Sequence, residues 1–193
     1  MGGINPALEY SLGALKQGKS LVTANKDMVA AHGKELFLAA GENGCDLFFE
    51  ASVAGGIPII QPLKECLAAN RIRQVIGIIN GTTNYMLTRM SKEGLTFEEA
   101  LAQAQALGYA EADPTADVGG YDAARKLAII ASIAFNTRVP LDRVYIEGIT
   151  RITTEDIKYA AELNYVVKLL GIAKESDDGI EVRVHPALLP EDH

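Results

Sequence analysis

At 193 residues the chain can form one sizeable domain and part of another, and a fold of that size hides roughly 70% of its unfolded surface. Its 48% apolar and 22% charged residues are ordinary for a globular protein and exclude disordered and fibrous classes. A net charge of −7, with 18 Lys and Arg scattered and no basic stripe, argues against nucleic-acid partners; no apolar run reaches membrane-span length and no secretory signal is recognisable, so a cytoplasmic protein is expected. Cys45 and Cys66 show no metal or redox spacing and read as reduced thiols, and the dispersal of His32, His185 and His193 excludes a histidine-based transition-metal site.

Pro6 suits the first position of a helix, an amphipathic run follows to Lys16, and Gly18 stops it. Ser20-Leu-Val-Thr-Ala24 then reads as a short buried strand and Asp27 to Ala40 as a helix, with Asn25-Lys26 at the carboxyl end of the strand. In open parallel sheets, ligands bind at that end. The unit looks like the closing β/α step of a nucleotide-binding fold. No G-x-G-x-x-G precedes it, so most of such a domain is expected upstream of Met1.

After the Gly41-Glu-Asn-Gly44 turn, the pattern predicts a strand from Asp46 to Val53, a tight loop over Ala54-Gly-Gly-Ile-Pro58 and a helix from Ile60 to Asn70. The β-branched run from Arg73 to Ile79 predicts another strand. Asn80-Gly-Thr-Thr-Asn84 opens a helix to about Lys92, and Thr96-x-x-Glu99 is a capping box for a helix ending at Gly108. Val144 to Ile149 is a strand candidate, Thr153 or Thr154 caps a helix that ends before Gly171, and Ile172–Lys174 pairs with Ile180–Val184 as a hairpin around Ser-Asp-Asp-Gly179. Alternating strands and helices closing on a hairpin describe an α/β domain with a mixed sheet from about Asp46 onward. The last residues, Leu-Pro-Glu-Asp-His193, follow a strand without a closing element, and truncation at both ends is expected.

The chemistry concentrates between Leu107 and Lys126. Glu111, Asp113, Asp117 and Asp122 crowd a loop that opens a helix, and that helix is apolar around most of its circumference from Ala123 to Phe135. Such a helix is normally buried. Asp122 and Lys126 share a face that continues as Ile129 and Ile133, so both are expected to point into a cleft or interior. Buried charges persist only when paired or hydrogen-bonded, which makes this lysine among carboxylates a candidate chemical site. A surface ion pair at a helix start is the plainer alternative.

Val22-Thr-Ala-Asn-Lys26, Glu50-Ala-Ser-Val-Ala-Gly-Gly-Ile-Pro58, Asn80-Gly-Thr-Thr-Asn84 and Leu107-Gly-Tyr-Ala-Glu-Ala-Asp-Pro114, followed by Asp117, Gly120, Asp122 and Arg125-Lys126, resemble the homoserine dehydrogenase family. The likeness runs in order from Gly2 to the end. It implies interconversion of L-aspartate 4-semialdehyde and L-homoserine with NAD or NADP, on the route to threonine, isoleucine and methionine. It also implies a homodimer formed through the catalytic-domain sheet. The implied fold is a mixed-sheet α/β catalytic domain with helices on one face, like the C-terminal domain of glyceraldehyde-3-phosphate dehydrogenase, preceded by a partial Rossmann β/α unit. Residues 1–45 would close the NAD(P)-binding domain, and 46–193 would form the catalytic, substrate-binding and dimerisation domain. The family's phosphate-cradling glycine loop is absent from these residues, so the chain alone is expected to bind dinucleotide poorly and to be inactive.

The resemblance implies Lys126 and Lys26 as the catalytic pair, since reduction of an aldehyde builds negative charge on oxygen and needs a proton donor in a cationic setting. It implies Glu111 and Asp122 as acceptors for the substrate ammonium, with Asp117 in support. Gly81 and Thr82 open a helix whose amides can meet the substrate carboxylate. Asn25, Lys26 and Gly108 are the implied cofactor contacts; a plain helix C-cap remains compatible at Gly108. Glu50, Val53, Gly55 and Ile57 resemble a loop whose carbonyls hold a monovalent cation, typically sodium, with an ion-free turn as the alternative. Two other readings compete: a non-catalytic module that binds an amino acid or self-associates, and a different semialdehyde or amino-acid reductase.

Overall fold

The computed structural model describes residues 2–193. Its helices are α1 (Ala7–Lys16), α2 (Lys26–Glu42), α3 (Gly81–Glu93), α4 (Phe97–Ala106), α5 (Thr115–Val118), α6 (Tyr121–Ala134) and α7 (Thr154–Glu162). Its strands are β1 (Leu21–Val22), β2 (Leu47–Phe48), β3 (Gln74–Gly77), β4 (Tyr145–Ile146), β5 (Tyr165–Ser176) and β6 (Gly179–Pro190). They divide into two compact units, one of residues up to Arg73 with 125–143, the other of 74–124 with 144–193.

In the first unit β1 and β2 pair in parallel, Leu21 opposite Leu47 and Val22 opposite Phe48. The strand expected to be buried is only two residues long and half open: Leu21 and Val22 point to opposite faces, Leu21 is partly covered and Val22 is 79% exposed. Asn25 caps α2 by accepting from the Met28 N–H at 3.0 Å, so this helix starts where the sequence places it. Leu15, Met28, Leu36 and Leu127 are fully buried in the core of this unit.

The strand expected from Asp46 to Val53 stops at Phe48, and Glu50–Ser52 form a 3₁₀ turn. The cause is the Glu50 carboxylate, which accepts the N–H groups of Ile59, Ile60 and Gln61 at 2.6, 2.8 and 2.7 Å and so folds the chain back on itself. The helix expected from Ile60 to Asn70 is a short one that ends in a π turn over Pro62–Cys66. β2 joins β1, so the mixed sheet starts at Gln74 and not near Asp46.

The second unit is that sheet, in the order β3-β5-β6-β4, antiparallel except where β4 runs parallel to β6. Helices α3 and α7 pack on β5 and on each other. Met86, Leu87, Met90, Ile149 and Val184 are buried to 1% exposure or less. The capping box expected at Thr96 forms with Glu99, and of the two candidate caps Thr153 is the one used, in a second capping box with Asp156. The helix expected to reach Gly171 ends at Glu162: Asn164 turns left-handed at φ 63°, and Tyr165-Val-Val begins a strand, as its aromatic and β-branched residues favour. The closing hairpin is therefore twelve residues on each side, Tyr165 opposite Pro190 at its base and Ser176 opposite Gly179 at its tip.

Candidate active site

Three elements of the second unit meet at Asn80. It precedes α3, and as N-cap its Oδ1 accepts the Thr83 N–H and hydroxyl, both at 2.8 Å. Its amide nitrogen donates to Asp117 Oδ1 at 2.7 Å and to Asp122 Oδ2 at 2.9 Å, so α5 and the first turn of α6 are tied to the start of α3. Asp122 is 6% exposed and Asn80 4%. Two carboxylates that the sequence places in one loop are thus drawn together by a neutral donor, which satisfies the requirement that buried charges be hydrogen-bonded.

Thr82, buried in the first turn of α3, donates its hydroxyl to the Tyr109 carbonyl at 2.7 Å and anchors the loop after α4. Gly81 is the exposed first residue of that helix. Gly108 is exposed and left-handed at φ 75° just past α4, which is the geometry of a helix C-terminus. Glu111 is exposed, and its backbone carbonyl accepts from Gln105 Nε2 at 3.0 Å. Asp113 accepts the Thr115 N–H at 3.0 Å, and hydrogen bonding from the side chain and backbone of Thr115 holds its carboxyl below the usual range. That makes Asp113 a local turn residue.

The remaining expected residues belong to the first unit. Asn25 and Lys26 lie at the carboxyl end of β1 around a cavity of about 450 Å³, whose lining includes Val22, Thr23, Ala24 and Asp27. Asn25 also donates to the Gly3 carbonyl at 2.6 Å. Lys126 is half-buried on α6, as is its neighbour Arg125, while the other residues of that helix from Ala123 to Ala131 are almost wholly buried, as their composition predicts. Arg125 Nε lies 3.0 Å from Asp27 Oδ1, an ion pair that ties the first turn of α2 to α6. Lys26 and Lys126 are the sequence neighbours of its two members.

In the Glu50 loop, Val53 is buried and Ile57 is 68% exposed. Ala54 and Gly55 are both left-handed, at φ 57° and 59°, and the Ile57 N–H closes on the Ala54 carbonyl at 3.1 Å. Burial pushes the Glu50 carboxyl up, and the N–H groups of Ile59, Gln61 and Ile60 outweigh it, leaving the group below its ordinary value. No cluster of three or more His, Cys, Asp or Glu suited to a metal occurs among the described residues.

Sequence reasoning overlooked the bridging role of Asn80 and the Arg125–Asp27 pair. The first had a signal, an asparagine three residues before a threonine at a helix start. The second joins residues 98 positions apart with no local pattern to mark it.

A family model described as homoserine dehydrogenase matches residues 58–193, and one described as homoserine dehydrogenase, NAD binding domain, matches residues 1–50. The chain is 52% identical over 193 residues to homoserine dehydrogenase of Bacillus subtilis, and 53% identical over 192 residues to that of Pseudomonas aeruginosa. All of this chain is matched in both cases, yet it spans only 45% and 44% of the length of those relatives. Among solved structures, a homoserine dehydrogenase from Thiobacillus denitrificans superposes with a TM-score of 0.98 at 53% identity, over 100% of this chain and 45% of that one. A hyperthermophilic archaeal homoserine dehydrogenase in complex with NADPH superposes at 0.83 and 33% identity, over 97% of this chain and 54% of that one.

Proposed function

Because the chain belongs to the homoserine dehydrogenase family, we propose that it supplies the catalytic part of an NAD- or NADP-dependent enzyme that interconverts L-aspartate 4-semialdehyde and L-homoserine in threonine, isoleucine and methionine biosynthesis. In this reading residues 1–45 close the nucleotide-binding domain and 46–193 form the catalytic and dimerisation domain. The observation that carries it is the pair Asp117 and Asp122 held on one buried amide, an acidic subsite of the kind an amino-acid ammonium needs.

The nicotinamide ring, when bound, supplies or takes the hydride. Lys126 gives a proton to the carbonyl oxygen in the reducing direction and takes it from the hydroxyl in the other. Lys26 adds a second ammonium that stabilises negative charge developing on that oxygen. Asp122 and Glu111 accept from the substrate ammonium with Asp117 in support, and the amides of Gly81 and Thr82 meet its carboxylate at the start of α3. The carboxyl end of β1 fits a dinucleotide: Thr23, Asn25 and Lys26 bring polar groups to the cavity there. Gly108 lets the cofactor approach closely because no Cβ stands in the way. The carbonyls of Glu50, Val53, Gly55 and Ile57 would hold a sodium ion in the loop curled by left-handed Ala54 and Gly55, oxygen being the preferred ligand of a hard cation. The enzyme works as a cytoplasmic homodimer joined through the catalytic-domain sheet.

The test is Lys126→Ala in a family-length enzyme carrying these residues. kcat for homoserine oxidation is expected to fall about 10²- to 10⁴-fold with KM within about threefold of the parent. Near-normal turnover would remove Lys126 from the mechanism. A parent enzyme that binds homoserine calorimetrically but does not oxidise it would favour a non-catalytic amino-acid-binding module instead.

A further inference from the structure

We infer that Asn80 is the positioning residue of the acidic subsite, its one amide setting where Asp117 and Asp122 meet a substrate ammonium; this rests on the homoserine dehydrogenase reading. The amide nitrogen has two hydrogens, and each has its own carboxylate, at 2.7 Å on Asp117 and 2.9 Å on Asp122. The amide oxygen has two lone pairs, and they take the backbone N–H and the hydroxyl of Thr83. A flipped amide would set its oxygen against two carboxylates and its NH₂ against the Thr83 N–H. The orientation is therefore determined by the surrounding groups. With Asn80 4% exposed, bulk water is poorly placed to do the same work.

Two like charges drawn to one nitrogen repel each other, and the neutral donor between them offsets that repulsion while binding one oxygen of each. An ionised carboxylate offers about four acceptor sites, so both acids keep capacity for a cation after the bridge is made. The bridge also reaches across the fold: Asn80 caps α3, Asp117 sits on α5 and Asp122 in the first turn of α6, so one side chain sets the spacing of three separate elements.

The role as helix cap and the role as bridge are separable, because Ser and Asp cap helices about as well as Asn while neither carries the NH₂ group. In a family-length enzyme, Asn80→Ser is expected to raise the homoserine KM about tenfold with kcat changed less than about threefold, the scale of a lost hydrogen bond to a charged group. Asn80→Asp sets a third carboxylate against the other two and is expected to raise KM further. If either variant keeps its KM within about twofold of the parent, Asn80 is a cap alone and the inference is overturned. If Asn80→Asp does not fold, Asn80→Ser carries the test. Crystal structures of the parent and of Asn80→Ser without substrate add an arm independent of activity: Asp117 and Asp122 should leave their rotamers in the variant, and carboxylates that stay in place overturn the inference. A parent enzyme inactive on homoserine would sink the dehydrogenase reading, while the crystallographic comparison would still decide the bridge.

Discussion

Glu50 and Lys168 are two charged side chains whose surroundings displace them from ordinary titration, in ways that pH can read. The Glu50 carboxyl is held down by three backbone N–H groups against the upward push of burial. Its folded value lies below its unfolded one, so its contribution to stability is present above the unfolded value and is lost as pH falls through the folded one. Glu50→Gln should therefore melt lower than the parent at neutral pH, with the gap closing below about pH 4. An equal gap at both pH values would show that the charge is not what matters. Lys168, on β5, donates to Asn84 Oδ1 at 2.8 Å and Thr88 Oγ1 at 3.2 Å. Burial and, less so, the nearby Lys92 pull it below its usual value. The unfolded state then binds more protons between the two values, so stability gains from rising pH in the window below the ordinary lysine value. Thermal melts of the parent against Lys168→Met, taken at neutral and mildly alkaline pH, should show the parent gaining ground on the variant as pH rises.

Among elements, the stretch after β4 packs directly against the acid loop. The Ile149 N–H donates to the Val118 carbonyl at 2.8 Å, and a Cβ on Gly148 would collide with that carbonyl oxygen and stand 2.6 Å from Gly119 Cα. These are backbone atoms, so neither side can yield cheaply. Gly148→Ala is expected to destabilise by about 1–3 kcal/mol, the range for overpacking a filled interior, and to disturb Asp117 at the same time. Denaturant unfolding measures the first effect and homoserine KM the second; a variant of parental stability would mean that the loop has room the structure does not show. The capping box at Thr96 was legible because it is local, three residues from end to end, and the cap of α7 was legible to within one residue, Thr153 or Thr154. The end of α7 was misjudged because periodicity does not separate a buried helix from a buried strand in Tyr165-Val-Val-Lys-Leu-Leu, and pairing with β6 decided it.

For the whole molecule, the 193 residues contain no G-x-G-x-x-G and span less than half of the Bacillus subtilis and Pseudomonas aeruginosa relatives. The chain by itself is expected to bind NADPH far more weakly than a family-length enzyme, which titration calorimetry on both proteins checks; equal affinities would place the whole cofactor site within these residues. Sedimentation equilibrium checks the proposed dimer. No helix among the described residues is long and apolar enough to cross a membrane. The sequence alone determined what depends on neighbours along the chain: the helix starts at Asn80 and Thr96 and, to within one residue, those near Asp27 and Thr153, the hairpin tip at Gly179, the buried character of α6, and the motifs that identify the family. Only the tertiary structure decided that Asn80 bridges Asp117 and Asp122, that Glu50 ends its own strand, that Arg125 pairs with Asp27, and that β2 joins β1 and not the mixed sheet. Each of those rests on groups that become neighbours only after the chain has folded, and a hydrogen bond or ion pair between residues far apart in sequence leaves no periodicity to read.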